Sequence, residues 1–109
     1  MVLNRNDAKV AGGIWAEETK YEYWDVKVAN PGSYDFTCHF KTQFDGEGDL
    51  SIRIGTTQRT LHNADTSANL VKFEGINLVA GDFRVESWYR EKGSYQLTFP
   101  FFIEVEKRR

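Results

Sequence analysis

The sequence predicts an all-β chain folded as one antiparallel β-sandwich. Three observations carry that expectation. Apolar residues recur at every second position in run after run. No window of helical length keeps the i, i+3, i+4, i+7 apolar stripe. The runs are separated by short stretches containing glycine or proline. At 109 residues, 40% of them apolar and 15% aromatic, the chain fits a single domain over 1–109 with one core. No internal repeat, low-complexity stretch or linker interrupts it.

The elements follow in chain order. A short strand is expected near Lys9–Val10. Trp24, Val26 and Val28 alternate with Asp25 and Lys27. Tyr34, Phe36, Cys38 and Phe40 alternate with Asp35, Thr37 and His39. Between these two runs lies NPGS, with Pro31 before Gly32, the order of a type II turn. The two runs therefore read as a hairpin of core strands whose register the turn sets. Leu50, Ile52 and Ile54 form the next alternation, followed by the turn sequence IGTTQ. Less regular strands are expected at Arg59–Leu61 and Leu70–Leu78. After VAGDF, Phe83 and Val85 alternate with Arg84 and Glu86. A closing strand is expected to bury Phe99, Phe101, Ile103 and Val105. Clean alternation implies one buried and one wet face per strand. Two such sheets packed face to face make a sandwich.

Strand parity divides the connections between two ends. If each strand spans the sandwich, the turns at Asn30–Ser33, Gly55–Thr57 and Val79–Asp82 share a near end. Gly12–Lys20, Lys41–Gly48, His62–Asn69 and Tyr89–Thr98 then share a far end, which collects the long loops. Long loops on a rigid scaffold are where binding groups concentrate.

Composition removes several function classes. A net charge of −2 and a pI near 5.7 provide no basic footprint for nucleic acid. The basic close, EKRR, reads as a solvated end. No apolar run approaches membrane-spanning length, so no membrane partner is expected. The polar start MVLNRNDAK lacks the apolar core of a signal peptide, so a secreted parent would carry its signal elsewhere. Cys38 is the sole cysteine, which excludes an internal disulfide. Its phase points inward, where a thiol is inert.

No catalytic set emerges. His39 falls on an outer face and His62 opens a loop. Neither has a second ligand at zinc-binding spacing. DGEGD, Asp45 to Asp49, is dense in carboxylates but lacks the spacing and distal glutamate of a calcium loop, and it reads as a solvated turn. Glu17 with Glu18 and Glu104 with Glu106 are adjacent acids, not a pair across a cleft. No activated serine or phosphate-binding glycine loop is present. The chain is expected to be no enzyme and to hold no cofactor or metal.

The aromatic residues are the least ordinary feature. Trp24, Tyr34, Phe36, Phe40, Phe83 and Phe99 fit inward phases. Trp15, Tyr21, Phe44, Trp88, Tyr89 and Tyr95 fall in or beside the far-end loops, and Trp88 is out of phase with Phe83 and Val85. Flat rings beside polar groups suit a shallow sugar site, a protein interface, or a cap on the open end of the core. The candidate ligand-binding set is Trp15, Tyr21, Trp88, Tyr89, Arg90 and Tyr95. Arg90 and Lys92 suit an anionic glycan, while Glu17, Glu18 and Asp45 oppose one.

In YWDVKVANPGSYDFTCHF, the residues Trp24, Val26, Val28, Gly32 and Tyr34 match a strand–turn–strand pattern. It resembles that of galactose-binding-like, jelly-roll accessory domains. INLVAGDFRVESW, through Leu78 and Gly81, and PFFIEVEK are similar to two further elements of these domains. The nearest likeness is to the C-terminal non-catalytic domain of bacterial arylsulfatase-like enzymes, with similar domains ending fucosidases. The resemblance implies a non-catalytic accessory or carbohydrate-binding domain of a secreted or periplasmic bacterial hydrolase. Its partners would be a glycan and the catalytic domain of the same polypeptide. The alternative is a purely structural domain that packs on its catalytic neighbour. Many such domains hold a structural calcium through a first-strand glutamate and a last-strand aspartate. Here Phe101 stands in the aspartate's place and LNRNDAKV offers no clear glutamate. The sulfatase catalytic motif is also absent, since Cys38 is followed by His39, Phe40 and, at 42, Thr42.

Overall fold

The computed structural model describes residues 1–4, 8–11, 21–44, 46–64, 67–94 and 97–108, with backbone alone at 9–11 and 21. Ten strands form two antiparallel sheets, and no helix occurs among the described residues. The first sheet has the order β1-β10-β4-β7, from β1 (Val2–Asn4), β10 (Phe102–Lys107), β4 (Gly32–His39) and β7 (Leu70–Leu78). The second has the order β2-β3-β8-β5-β6, from β2 (Lys9–Ala11), β3 (Tyr21–Val28), β8 (Gly81–Glu91), β5 (Gly48–Ile54) and β6 (Thr57–Asn63). A two-residue β9 (Leu97–Thr98) lies beside the end of β8.

The core is the dry space between the sheets. Phe36, Cys38, Phe73, Ile76, Ile103 and Val105 enter it from the first sheet. Trp24, Val26, Leu50, Ile52, Ile54, Val85 and Tyr89 enter from the second. Each set follows the two-residue period of its strand. The indole N–H of Trp24 donates to the Asn4 carbonyl at 2.8 Å, joining β3 to β1 across one flank. On the opposite flank the Arg59 guanidinium donates to the Glu74 and Gly75 carbonyls, each at 3.1 Å, joining β6 to β7.

Two sequence expectations are corrected. The runs on either side of NPGS do not pair with each other. β3 pairs with β2 and β8, and β4 pairs with β10 and β7. The connection is an arch from one sheet to the other, and Gly32 at φ 159° is extended rather than left-handed. Two successive strands, each with one apolar face, satisfy burial equally well as a hairpin or as an arch, so alternation cannot distinguish them. The second correction concerns the closing run. Leu97–Thr98 belongs to the second sheet and Phe102–Lys107 to the first, so the chain changes sheets at Pro100. Pro100 is buried and Phe101, expected inside, is 46% exposed. A proline has no ladder N–H, and the alternation restarts after it.

Two glycines have positions no other residue fits well. Gly55, at φ 61°, is the first central residue of the two-residue β5–β6 hairpin, where a type II′ turn needs a positive φ. A Cβ on Gly48 would lie 2.2 Å from the Arg90 carbonyl oxygen and 2.8 Å from the Glu91 Cα, both backbone atoms that cannot swing away. Gly48→Ala is expected to destabilise the fold by about 2 kcal/mol, the overpacking range, read as a lowered midpoint in guanidinium unfolding. Burial pushes the Cys38 thiol up to about 12. Cys38 is therefore expected to resist alkylation in native protein at pH 8 and to react fully once unfolded. Reaction in the native state would contradict its placement.

Candidate functional site

For the strands from β4 onward the parity expectation holds, while Gly12–Lys20 lies outside the described residues. The β4–β5, β6–β7 and β8–β9 connections lie at one end, and the tight turn at Gly55 lies at the other. At the far end Phe40, Phe44 and Tyr89 pack together and close the core. Phe44 stacks on Tyr89 at 4.2 Å, and Phe40 meets Phe44 edge-on at 4.9 Å. The Tyr89 hydroxyl donates to the Gly46 carbonyl, which holds the 41–47 connection against β8. A tyrosine at such a rim satisfies its hydroxyl while its ring stays in the core.

Over this aromatic floor runs a groove of about 130 Å³. Lys41, Thr42, Gln43, Glu91 and Thr98 supply its polar wall, and Phe99 and Phe101 its apolar one. Phe101 is held in place by its own N–H, which donates to the His39 carbonyl at 2.7 Å. Its ring meets Phe102 at 72° and stays largely open to solvent. Phe102 in turn stacks on His39, whose Nε2 lies 2.6 Å from Glu104.

Glu91 also borders a second, more open cleft of about 340 Å³. There His62 is held between two carboxylates, with Nδ1 2.9 Å from Asp49 and Nε2 3.2 Å from Glu47. Lys92 lies 3.5 Å from Glu47. Arg90 also lines this cleft and makes no ion pair with a carboxylate among the described residues. Both His62 nitrogens are engaged. Among the described residues no three His, Cys, Asp or Glu side chains are arranged to hold a metal ion. Asp45 of DGEGD lies outside the described residues.

The six residues singled out from the sequence do not converge. Trp15 and Tyr95 lie outside the described residues, as do Glu17 and Glu18. Tyr21 is described by its backbone alone, opposite Ala11. Tyr89 is 3% exposed and lies beneath the groove, so its face is covered. Trp88 is half-buried on the outer face of the second sheet, with the Arg53 guanidinium 5.6 Å from its ring. Arg90 lines the charged cleft. The groove's own residues, Thr42, Gln43, Glu91, Thr98, Phe99 and Phe101, were not anticipated as a set. Pro100 was the available signal. A proline inside an apolar run breaks the alternation and frees its neighbours from the strand phase.

The Asp49 carboxylate, and after it Glu47, raise the pKa of His62 above its ordinary 6.5. The protonated ring bonds both carboxylates, so its support for the β5–β6 hairpin is full below about pH 6.5. That support is lost as pH rises through the raised folded-state value. An NMR titration of His62 is expected to give a midpoint above 6.5, lowered more by Asp49→Asn than by Glu47→Gln.

No protein-family model matches the sequence and no curated protein matches it. Solved structures do match the fold. The CBM36-1 domain of a multidomain xylanase from the hindgut metagenome of Trinervitermes trinervoides superposes with a TM-score of 0.70 at 12% identity, covering 100% of this chain and 98% of that one. An exo-beta-1,3-galactanase from Phanerochaete chrysosporium, with galactose, superposes with a TM-score of 0.52 at 11% identity, covering 97% of this chain and 27% of that one. At these identities the likeness is one of fold, an antiparallel sandwich of the same architecture.

Proposed function

We propose that this chain is a non-catalytic carbohydrate-binding accessory domain of a bacterial glycan-degrading hydrolase, working outside the cytoplasm. The far-end groove carries the reading. An open aromatic ring, Phe101, stands beside a half-buried one, Phe99, and faces a wall of amide, hydroxyl, ammonium and carboxylate groups. Sugars present apolar ring faces and hydroxyl edges, and this arrangement offers a partner for each. The two fold neighbours support the reading, since one is named as a CBM domain of a xylanase and the other is a galactanase with galactose. An arylsulfatase-like or fucosidase-type parent rests on the sequence resemblance around Trp24 to Tyr34.

The groove wall has one Lys41 and one Glu91, so its charges cancel. This favours a neutral glycan over a sulfated one. A stacked ring with a few hydrogen bonds gives weak affinity, on the order of millimolar to tens of micromolar.

A purely structural role is the second reading, and the near end favours it. There a cavity of about 70 Å³ is lined by Val26, Val28, Leu78 and Phe83. Met1 and Val79 are exposed nearby at 62% and 68%, as a surface packed on a neighbouring domain would be.

Calorimetric titration with neutral and sulfated oligosaccharides separates the readings. Binding of a neutral oligosaccharide is expected, weakened roughly tenfold or more by Phe101→Ala and by Glu91→Ala. Trp88→Ala, on the sheet's outer face, is expected to leave it unchanged. No binding at millimolar ligand, or binding indifferent to both groove variants, leaves the structural role in front. The same preparation is expected to cleave neither sulfate esters nor glycosides in a chromogenic assay. Turnover abolished by a groove substitution would show a catalytic site.

A further inference from the structure

We propose that Glu47 and His62, which lie outside the groove, position the 41–43 stretch of its polar wall, and that this stretch loosens when His62 loses its proton. The positioning is independent of what the groove binds. Its consequence for glycan affinity rests on the carbohydrate-binding reading.

The stretch has no supports of its own. Lys41, Thr42 and Gln43 line the groove between the end of β4 and the start of β5. None of the three makes a hydrogen bond or ion pair among the described residues. Their positions are therefore set by what holds the connection on either side of them. At its entry the Phe40 N–H donates to the Asn69 carbonyl at 2.7 Å, and the Asn69 amide donates to the Phe40 carbonyl at 3.3 Å. Phe44 packs on Phe40 and Tyr89. At its exit the Gly46 carbonyl accepts from the Tyr89 hydroxyl, and the Glu47 carbonyl accepts from the Lys92 N–H at 2.8 Å.

The Glu47 side chain adds a hold of another kind. Its carboxylate lies 3.2 Å from Nε2 of His62 and 3.5 Å from Nζ of Lys92. β5 runs between β8 and β6 in the second sheet. Tyr89 and Lys92 hold the exit from the β8 side. His62, on β6, holds Glu47 from the other side.

That second hold depends on a proton. An imidazolium has two N–H groups and donates to both carboxylates. A neutral ring has one N–H and one lone pair, so it serves only one of them. Asp49 is the nearer carboxylate, at 2.9 Å, and the larger cause of the ring's raised proton affinity. The neutral ring therefore keeps its proton on Nδ1, and its Nε2 lone pair faces Glu47. Glu47 is the group released. Besides Asp49 and Glu47, the charged side chains around His62 are Glu91, Arg90 and Lys92, which line the same cleft. Arg90 and Lys92 oppose the imidazolium, but the two carboxylates touch the ring, and contact outweighs distance where solvent screens. The paired state is complete below about pH 6.5 and is lost as pH rises through the raised folded-state value.

The test is an NMR titration of the whole chain from about pH 5.5 to about pH 9, following the His62 ring and the backbone order parameters of Thr42 and Gln43. The order parameters are expected to fall as His62 titrates, with Phe44, fixed by packing, changing less. The fall is expected to disappear in His62→Gln. It is expected to be largely suppressed in Glu47→Gln, whose amide donates to the Nε2 lone pair and keeps the contact without charge. The affinity for the neutral oligosaccharide of the calorimetric titration is expected to drop roughly two- to fivefold over the same range, because the bonds on the β8 side stay in place. Order parameters that do not follow His62, or an affinity flat across its titration, would overturn the proposal. So would a fall that persists in His62→Gln, which would point to His39, whose carbonyl holds Phe101. Order parameters that follow His62 in a chain that binds no oligosaccharide would sustain the positioning and remove the carbohydrate-binding reading alone.

Discussion

The interleaving of the two inner faces is the contact on which the rest of the molecule depends. Phe36, Cys38, Ile76 and Ile103 from one sheet meet Leu50, Ile52, Ile54 and Val85 from the other, all at 2% exposure or less. Side chains alternate along a strand, so burying one set commits the register of every neighbour. A slip of one residue would exchange the whole apolar set for the polar one. The tight hairpin at Gly55, the bulge at Gly75 and the sheet change at Pro100 all preserve that phase while the chain turns, kinks or crosses. The flanks are joined by polar contacts, through Trp24 to Asn4 on one side and Arg59 to the β7 bulge on the other.

One polar group lies inside this apolar layer without disturbing it. Ser87 is 1% exposed and donates to the Ser51 carbonyl at 2.8 Å, within its own sheet. Its oxygen lies 3.6 Å from the Cys38 sulfur across the gap. The hydroxyl's proton is thus taken by the adjacent strand, and the thiol makes a weak hydrogen bond to its oxygen. The outer face of the second sheet is organised differently. There Arg84 lies over the Tyr23 ring at 3.9 Å, and Arg53 links Glu86 to Trp88. Aromatic rings on that face are covered by guanidinium groups, whereas the ring of Phe101 at the far end is not.

Period-two patterning carried most of the architecture in advance, because burial is what the pattern records. Trp24, Val26, Val28, Phe36, Cys38, Leu50, Ile52, Ile54 and Val85 all face inward as their phase requires. Trp88, out of phase, faces out. What the pattern could not record is which strands share a sheet. NPGS read as a hairpin and is an arch, since both connections satisfy the same alternation. β1 and β9 were missed because three and two residues are too few to show a period. The groove was hidden for a related reason. Thr42, Gln43 and Thr98 are ordinary polar residues until the sheet change at Pro100 brings Phe99 and Phe101 beside them. Polar atoms from the β4–β5 connection and from the ends of β8 and β9 become a site only through tertiary placement.

The position of the chain ends has a mechanical consequence. Met1 donates to the Val105 carbonyl, and the Arg108 N–H donates to the Ser33 carbonyl, so the first and last described residues emerge at the same end of the sandwich, opposite the groove. β1 and β10 are antiparallel neighbours in one sheet. Tension applied to both ends would therefore open their ladder one bond at a time, as a zipper, instead of loading all its bonds together in shear. β1 is the first element such a pull would strip. The domain would yield to stretching at low force while its far end, anchored by β8 and the Phe44–Tyr89 stack, kept its shape.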